Sequence, residues 1–355
     1  PQLVLIFGEK DRLLESDYFE AMKELFSDAN IVSASTSGEI IGRQLLEDSI
    51  TATVVEFEKT EIFFKEFSVS DYEDSKAMGV AVGNYFQFPK LKGLFLISDG
   101  LLVNGSYLLE GIYEEMSENV HISGGMAGDQ QSFESTLVGL NKIPESGKLV
   151  TFGLVGDSIL IGNGAKGGWD AFGPKRLITK SKDNVLYELD GEPALDLYIK
   201  YLGSHADNLP ESALFFPLLL NGREGDDKDL VRTILGVDRD ERSLVFAGNV
   251  PEGDNVRLMK GNMNKIINAS AIAGEISLKK MKGETPELAL LVSCVGRKLI
   301  LGQMTEEEIE EAVNSIGEHT YYCGFYSYGE FSPNEKSVRC QLQNETMCIT
   351  TFKEL

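Results

Sequence analysis

Three short segments bring a small or hydroxyl residue, a glycine and a carboxylate together: Ser37-Gly38-Glu39, Ala127-Gly128-Asp129 and Tyr328-Gly329-Glu330, with Ser327 just ahead of the last. Glycine permits tight turning and close backbone approach. A hydroxyl and a carboxylate supply a few directed polar contacts in an otherwise apolar pocket. Such groups suit the binding of an amine or acid–base chemistry. An amino-acid ligand fits them: Glu330 or Asp129 pairs with the ammonium, while backbone N–H groups and Arg297 receive the carboxylate. Helix capping and turn formation are the structural roles open to the same residues.

Each segment follows a strand–helix–strand passage. "LVLIFGEK" (3–10) reads as a buried strand, followed by a helix with Leu14, Tyr18, Met22, Leu25 and Phe26 on one stripe and a second strand ending "IVSASTSGEI" (31–40). The next passage opens with "GLFLISDG" (93–100), carries Leu108, Leu109, Ile112 and Met116 on its helix, and ends "VHISGGMAGD" (120–129). The last opens with "LALLVSCVGR" (288–297). Its helix starts at Thr305 with Glu308 three residues on, a capping-box pattern, bears Ile309, Ala312, Val313 and Ile316, and runs into "CGFYSYGEF" (323–331). In a parallel βαβ unit the loops after both strands share one rim, and small-molecule sites favour that carboxyl rim. Ser98 and Asp99 are therefore expected near 124–129, with Gly125 among them, and Ser293 to Arg297 near 326–330. The candidate ligand-binding residues are Glu330, Asp129, Ser327, Ser98, Asp99, Arg297, Gly125, Glu39 and Trp169.

Other stretches read as antiparallel hairpins: 49–69 around Glu58-Lys59-Thr60, "KLVTFGLVGDSILIGNG" (148–164) turning at Gly156-Asp157, and "RSLVFAGNVPEGDNVRLM" (242–259). The expected fold is thus mixed α+β, with βαβ units and hairpins in mixed sheets. Two domains, 1–190 and 191–355, meet near "YELDGEPALDLYIKYLG", where Pro193 suits the first turn of a helix bearing Leu195, Ile199 and Leu202. The acidic loop 221–229 reads as exposed.

"GNGAKG" (162–167) has the Gly-x-Gly-x-x-Gly spacing, but a dinucleotide site needs a helix to begin there. Gly168-Trp169 and Gly173-Pro174 follow instead, which favours a glycine-rich strand end. Trp169, the one tryptophan, reads as a core anchor or a pocket wall. Cys294 lies three residues before Arg297, whose guanidinium would lower the thiol pKa and favour a nucleophile. A buried small residue is the alternative. His121 stands just before the second exit segment, in reach of the same rim. Cys294, Cys323, Cys340 and Cys348 offer no chelating pair, so neither zinc nor a catalytic residue is assigned. The formal charge of −23 repels phosphate backbones and anionic lipid, which argues against nucleic acid as a partner. There is no signal peptide and no apolar run long enough to span a bilayer, so a reducing cytoplasm suits the free thiols.

Taken in order, "STSGEI", "ISGGMAGD", "GGWDAFGPKRLITKSKDNVLYELDGEPALDLY", "VRTILGVDRDERSLVFAGNVPEGDNVRLM", "SCVGRKLILG" and "GFYSYGEFSP" resemble FIST proteins, an N-terminal followed by a C-terminal FIST domain. The resemblance implies an intracellular sensory module of bacteria or archaea that binds a small polar ligand, with amino acids suggested. It implies signalling through a histidine kinase, a chemotaxis receptor or a cyclic-dinucleotide enzyme, expected here to be a separate protein. Some relatives bind haem, which one of the histidines would hold, although the residues themselves call for no cofactor. A hydrolase- or transferase-like enzyme using Cys294 or Ser327 with a rim carboxylate is the rival reading.

Overall fold

The structure is a computed structural model, and it describes residues 1–15, 17–221, 229–333 and 338–355. Most of the acidic loop 221–229 lies outside the described residues.

All three βαβ passages are present. Leu3–Gly8 runs parallel to Asn30–Ser35, Leu91–Ser98 to His121–Met126, and Leu288–Cys294 to Tyr321–Ser327. Their first strands are continuous apolar runs because both faces are covered. In the second unit Asn104 caps the helix Gly105–Glu115 by accepting the N–H groups of Ser106 and Tyr107, and Leu108, Leu109, Ile112 and Met116 are buried. In the third unit Ile309, Ala312, Val313 and Ile316 of the helix Thr305–Ile316 are buried. The expected capping box does not form there. The Thr305 hydroxyl donates to the carbonyls of Gly302 and Lys298, and Glu308 turns inward to pair with Arg297. In the first unit Leu14 is 54% and Leu25 67% exposed, while Leu13 and Phe19 are buried. The helix stops at Leu13 and restarts at Asp17, so no single 3.6-residue phase runs through 14–26.

Each unit lays its last strand antiparallel against its first: Ile50–Val55 on Leu3–Gly8, Lys148–Val155 on Leu91–Ser98, and Met347–Glu354 on Leu288–Cys294. The second strand of each unit is flanked instead by a strand from another unit. Glu39–Ile41 pairs with Tyr321–Ser327, Gly329–Pro333 with His121–Met126, and Val138–Leu140 with Asn30–Ser35. Unit one thus completes the sheet of unit three, unit three that of unit two, and unit two that of unit one. The glycine–acid segments stand where the chain crosses between sheets. Leu5, Phe7, Phe95, Ile97, Leu290, Val292 and Phe325 from the three units share one core inside this ring.

The three expected hairpins are overturned, although their strands are where the sequence put them. Ile50–Val55 lies in the first unit's sheet and Glu61–Ser68 in the second's, against Lys148–Val155. Lys148–Val155 and Ile159–Lys166 likewise separate, the latter pairing with Met347–Glu354. Ser243–Phe246 pairs with Val185–Leu189 and Ile234–Asp238, and Asn255–Lys260 with Asp170–Lys182 and Leu218–Asn221. Turn residues reverse the chain locally, but in the first two cases the reversal carries it from one sheet of the ring to the next, and in the third both strands stay in one sheet with Asp170–Lys182 and Val185–Leu189 between them. Hairpins do form elsewhere, as between Asp170–Lys182 and Val185–Leu189.

The second domain is built on residues 170–260, between the strand Ile159–Lys166 and the helix Met263–Lys279. It holds the fourth sheet and its own core, including Ile178, Leu186, Leu195, Leu202, Leu244 and Phe246. Pro193 precedes its helix Ala194–Leu202, on which Leu195 and Leu202 are buried. The sequence division at 190/191 falls between Val185–Leu189 and this helix. Mixed α+β architecture, mixed sheets and a two-domain arrangement agree with the sequence.

Candidate functional site

The parallel pairs place both loops of a unit on one rim. Ala127 N–H donates to the Ser98 carbonyl at 2.8 Å, and Ser327 Oγ donates to the Ser293 carbonyl at 3.2 Å. The three exit segments also meet one another. Ser37 Oγ donates to the Gln130 carbonyl at 3.1 Å, and Lys298 Nζ donates to the Ser37 carbonyl at 2.6 Å and to Gln130 Oε1 at 3.1 Å. The Tyr328 hydroxyl donates to the Asp129 carboxylate and stacks its ring on Phe133 with centroids 4.5 Å apart. Two glycines explain the closeness. Gly38 has φ +135, and a Cβ on Gly128 would stand 2.4 Å from Ser37 Oγ.

The exit carboxylates are buried and already bonded. Glu39 accepts from Thr36 and Ser49 hydroxyls, both at 2.6 Å, and burial raises its pKa. Asp129 accepts the backbone N–H groups of Phe133, Glu134 and Ser135 at 2.9–3.0 Å, with Lys10 Nζ 3.8 Å away. Glu330 accepts from Ser327 Oγ at 2.8 Å and Thr346 Oγ1 at 2.8 Å. Desolvation outweighs these bonds and lifts the Glu330 pKa to about 8. Asp99 accepts N–H groups of Leu101, Leu102 and Gly147 and the Ser146 hydroxyl. Ser98 Oγ is buried without a partner among the described residues. A Cβ on Gly125 would lie 2.6 Å from Val292 Cγ1, so this glycine lets neighbouring sheets approach.

Arg297 is fully buried and committed. Its Nε and Nη2 donate to Glu308 Oε2 at 2.9 and 2.5 Å, and Nη2 also donates to Ser270 Oγ and the Ile266 carbonyl. Glu308 Oε1 accepts from Tyr326 and Ser293 hydroxyls. Cys294 is buried too, and its thiol pKa is pushed up by burial and then by Glu330 and Glu345, against the lowering expected from Arg297. His121 begins the strand His121–Met126 opposite Gly93, at the end away from the exit rim; burial lowers its pKa. Trp169 packs on Met259, Ile266 and Ile300, and its Nε1 donates to the Glu345 carbonyl at 3.0 Å. No helix starts in 162–167. Those glycines let the strand Ile159–Lys166 touch the helix Met263–Lys279, a Cβ on Gly164 falling 1.9 Å from the Ala273 carbonyl.

A cleft of about 330 Å³ opens at the rim of units two and three, under the second domain. The ring contributes 100–104, Met126, Phe133, Tyr328 and 294–296, and the second domain Asn184, Leu214, Thr233, Leu235 and 246–248. None of these lining residues carries a charge. Behind the wall, Glu345 Oε1 accepts from Thr233 Oγ1 at 3.0 Å, and its carboxylate stands 2.4 Å from the Cβ position of Gly296. Glu345 Oε2 has no hydrogen-bond partner among the described residues, and burial raises its pKa to about 7. Sequence reasoning missed Phe133, Thr233, Leu235 and Glu345, which stand in no recognisable motif. None of the nine ligand-binding residues expected from the sequence lines this cleft; its ring side is built from chain neighbours of four of them, Gly100, Met126, Gly296 and Tyr328. Among the described residues no group of three or more His, Cys, Asp or Glu is placed to hold a metal, and no helix is long and apolar enough to cross a membrane.

Fold and site define an α+β protein of three interlocked units with an uncharged cleft between ring and second domain. The model of the FIST N domain matches residues 2–192 and that of the FIST C domain residues 194–333. The chain belongs to the FIST family, whose domains are in general sensory. It is 24% identical over 350 residues to an uncharacterised protein of Methanocaldococcus jannaschii, the match covering 91% of this chain and 64% of the relative. The chain therefore spans less than two thirds of that relative's length. Among solved structures, a chorismatase aligns over 99% of this chain and 92% of its own at 9% identity with TM-score 0.36. A cyanuric acid hydrolase of A. caulinodans aligns over 83% of this chain and 99% of its own, also at 9% identity, with TM-score 0.20. Neither likeness is close enough to establish a shared fold.

Proposed function

We propose that this chain is a sensory module that binds one small molecule in the rim cleft and reports it to a separate signalling protein. The observation that carries this reading is the cleft itself, walled on one side by strand exits of the ring and on the other by the second domain. A molecule held there touches both, so its binding energy bears on how they sit together. The uncharged lining favours a ligand with an apolar body and a few hydrogen-bonding groups. An amino acid is less suited, because the carboxylates of the exit segments are occupied and Arg297 is paired with Glu308. Among the rivals, Cys294 as nucleophile would need a thiol pKa moved down, and burial moves it up. A histidine kinase, a chemotaxis receptor or a cyclic-dinucleotide enzyme is the class of partner that would read the signal.

Leu235 is 44% exposed and lines the cleft, so Leu235→Asp places a charge there at little cost to folding. In a thermal-shift screen of metabolites, a ligand at a hundredfold excess over its Kd should add about 2.7 kcal/mol to wild type. That gain should vanish in Leu235→Asp, with the unliganded Tm nearly unchanged. A ligand that stabilises both proteins equally binds elsewhere.

A further inference from the structure

The ring is incomplete at one place. In unit two the last strand Lys148–Val155 is covered at its outer edge by Glu61–Ser68, and in unit three Met347–Glu354 is covered by Ile159–Lys166. Each covering strand turns its apolar residues into the shared core: Ile62 and Phe64 in one, Ile159 and Ile161 in the other. Each also leads to a helix, Ser75–Tyr85 or Met263–Lys279, that lies on the unit's own helix. Gly79 and Gly111 let the first pair touch, and Gly274 packs on Ser315 in the second. In unit one the last strand, Ile50–Val55, pairs among the described residues with Leu3–Gly8 alone and is the edge of its sheet.

The surface there matches a vacated position. Of Ile50–Val55 only Thr51 is buried, whereas the equivalent strands are buried almost throughout. Val54 stands opposite Val4 as Gly153 stands opposite Leu94 and Thr351 opposite Ala289. Gly153 lies under Phe86 at the end of the covering helix and Thr351 is fully buried, but Val54 is 42% exposed. A cavity of about 610 Å³ runs along this edge, lined by 52–59, Ile41, Tyr322 and Phe352. On the outer face the helix Asp17–Leu25 has no second helix beside it among the described residues, and Leu25 is exposed.

We infer that this seat takes a β-strand followed by an amphipathic helix, from polypeptide running into Leu3 as 61–90 runs into Leu91. The order strand, helix, first strand holds in both complete units, which favours a covalently continuous segment over a second copy or a separate protein. The charge also disfavours a second copy: along the cavity at this edge Glu56, Glu58, Glu287 and Glu354 outnumber Lys59 and Lys353, on a chain with formal charge −23. The segment's strand would carry apolar residues at alternate positions toward the shared core, and its helix an apolar stripe over Val54 and the helix Asp17–Leu25.

The test compares the polypeptide as translated in its host with residues 1–355 alone, by amide hydrogen exchange and Tm. In the host polypeptide, 50–55 should exchange as slowly as 148–155, and Val54→Lys should lower Tm by several degrees. In residues 1–355 alone those amides should exchange roughly a hundredfold faster or more, and Val54→Lys should change Tm little. The inference is overturned if 50–55 exchange equally fast in both, or if no strand–helix segment precedes Leu3 in the host polypeptide. Protection that appears only on dimerisation, or only on adding another protein, assigns the seat to that occupant and equally overturns it.

Discussion

Arg297→Leu is expected to lower the free energy of unfolding by about 3–5 kcal/mol, because removing one member of a buried ion pair strands the other. Glu308 would keep its bonds from Tyr326 and Ser293 but face its charge alone at zero exposure. Urea denaturation of wild type and variant measures the loss. The double variant Arg297→Leu, Glu308→Leu should lose less than the single one, since no charge is then left unpaired. A single variant as stable as wild type would show that the pair does not hold the helix Thr305–Ile316 to the third sheet.

Glu330→Gln should stabilise the protein at alkaline pH. A carboxyl whose folded pKa lies above its unfolded value binds its proton more tightly when folded. Its contribution is fully present below the ordinary carboxylate pKa, about 4.3, and is lost as pH rises through the folded value, about 8 for Glu330. Glutamine keeps the shape without the charge. Near pH 4 the variant and wild type should be close in stability. By pH 9 the variant should be ahead by roughly 2–5 kcal/mol, the scale of a shift of a few units at 1.36 kcal/mol each. Glu345 and Cys294 lie within electrostatic reach, so the quantity to measure is the pH dependence of the difference between the two proteins. A difference that does not vary between pH 4 and 9 would show that folding does not raise the Glu330 pKa.

The sequence made the βαβ units legible because parallel core strands are continuous apolar runs and the helices of the second and third units carry stripes at 3.6-residue spacing, whereas the broken helix of the first does not. It made the rim legible because right-handed crossovers bring both loops of a unit to one side. Strand partners were illegible for a different reason. Gly156-Asp157 shows where the chain reverses, but Ile159–Lys166 is claimed by Met347–Glu354, nearly two hundred residues away in sequence. Arg297 looked available because Glu308 read as a helix cap; only the burial of both shows that they are partners. The far wall of the cleft, Thr233, Leu235 and 246–248, lies in a domain whose docking on the ring leaves no local pattern.

The most direct measurement is a crystal structure of the protein after soaking with the metabolite cocktails that raise its Tm. Difference density is expected in the rim cleft, against 100–104 on one side and Thr233, Leu235 and Gly248 on the other. Density only in the cavity beside Val54, or elsewhere outside the rim cleft, from a cocktail that stabilises the protein would contradict the account.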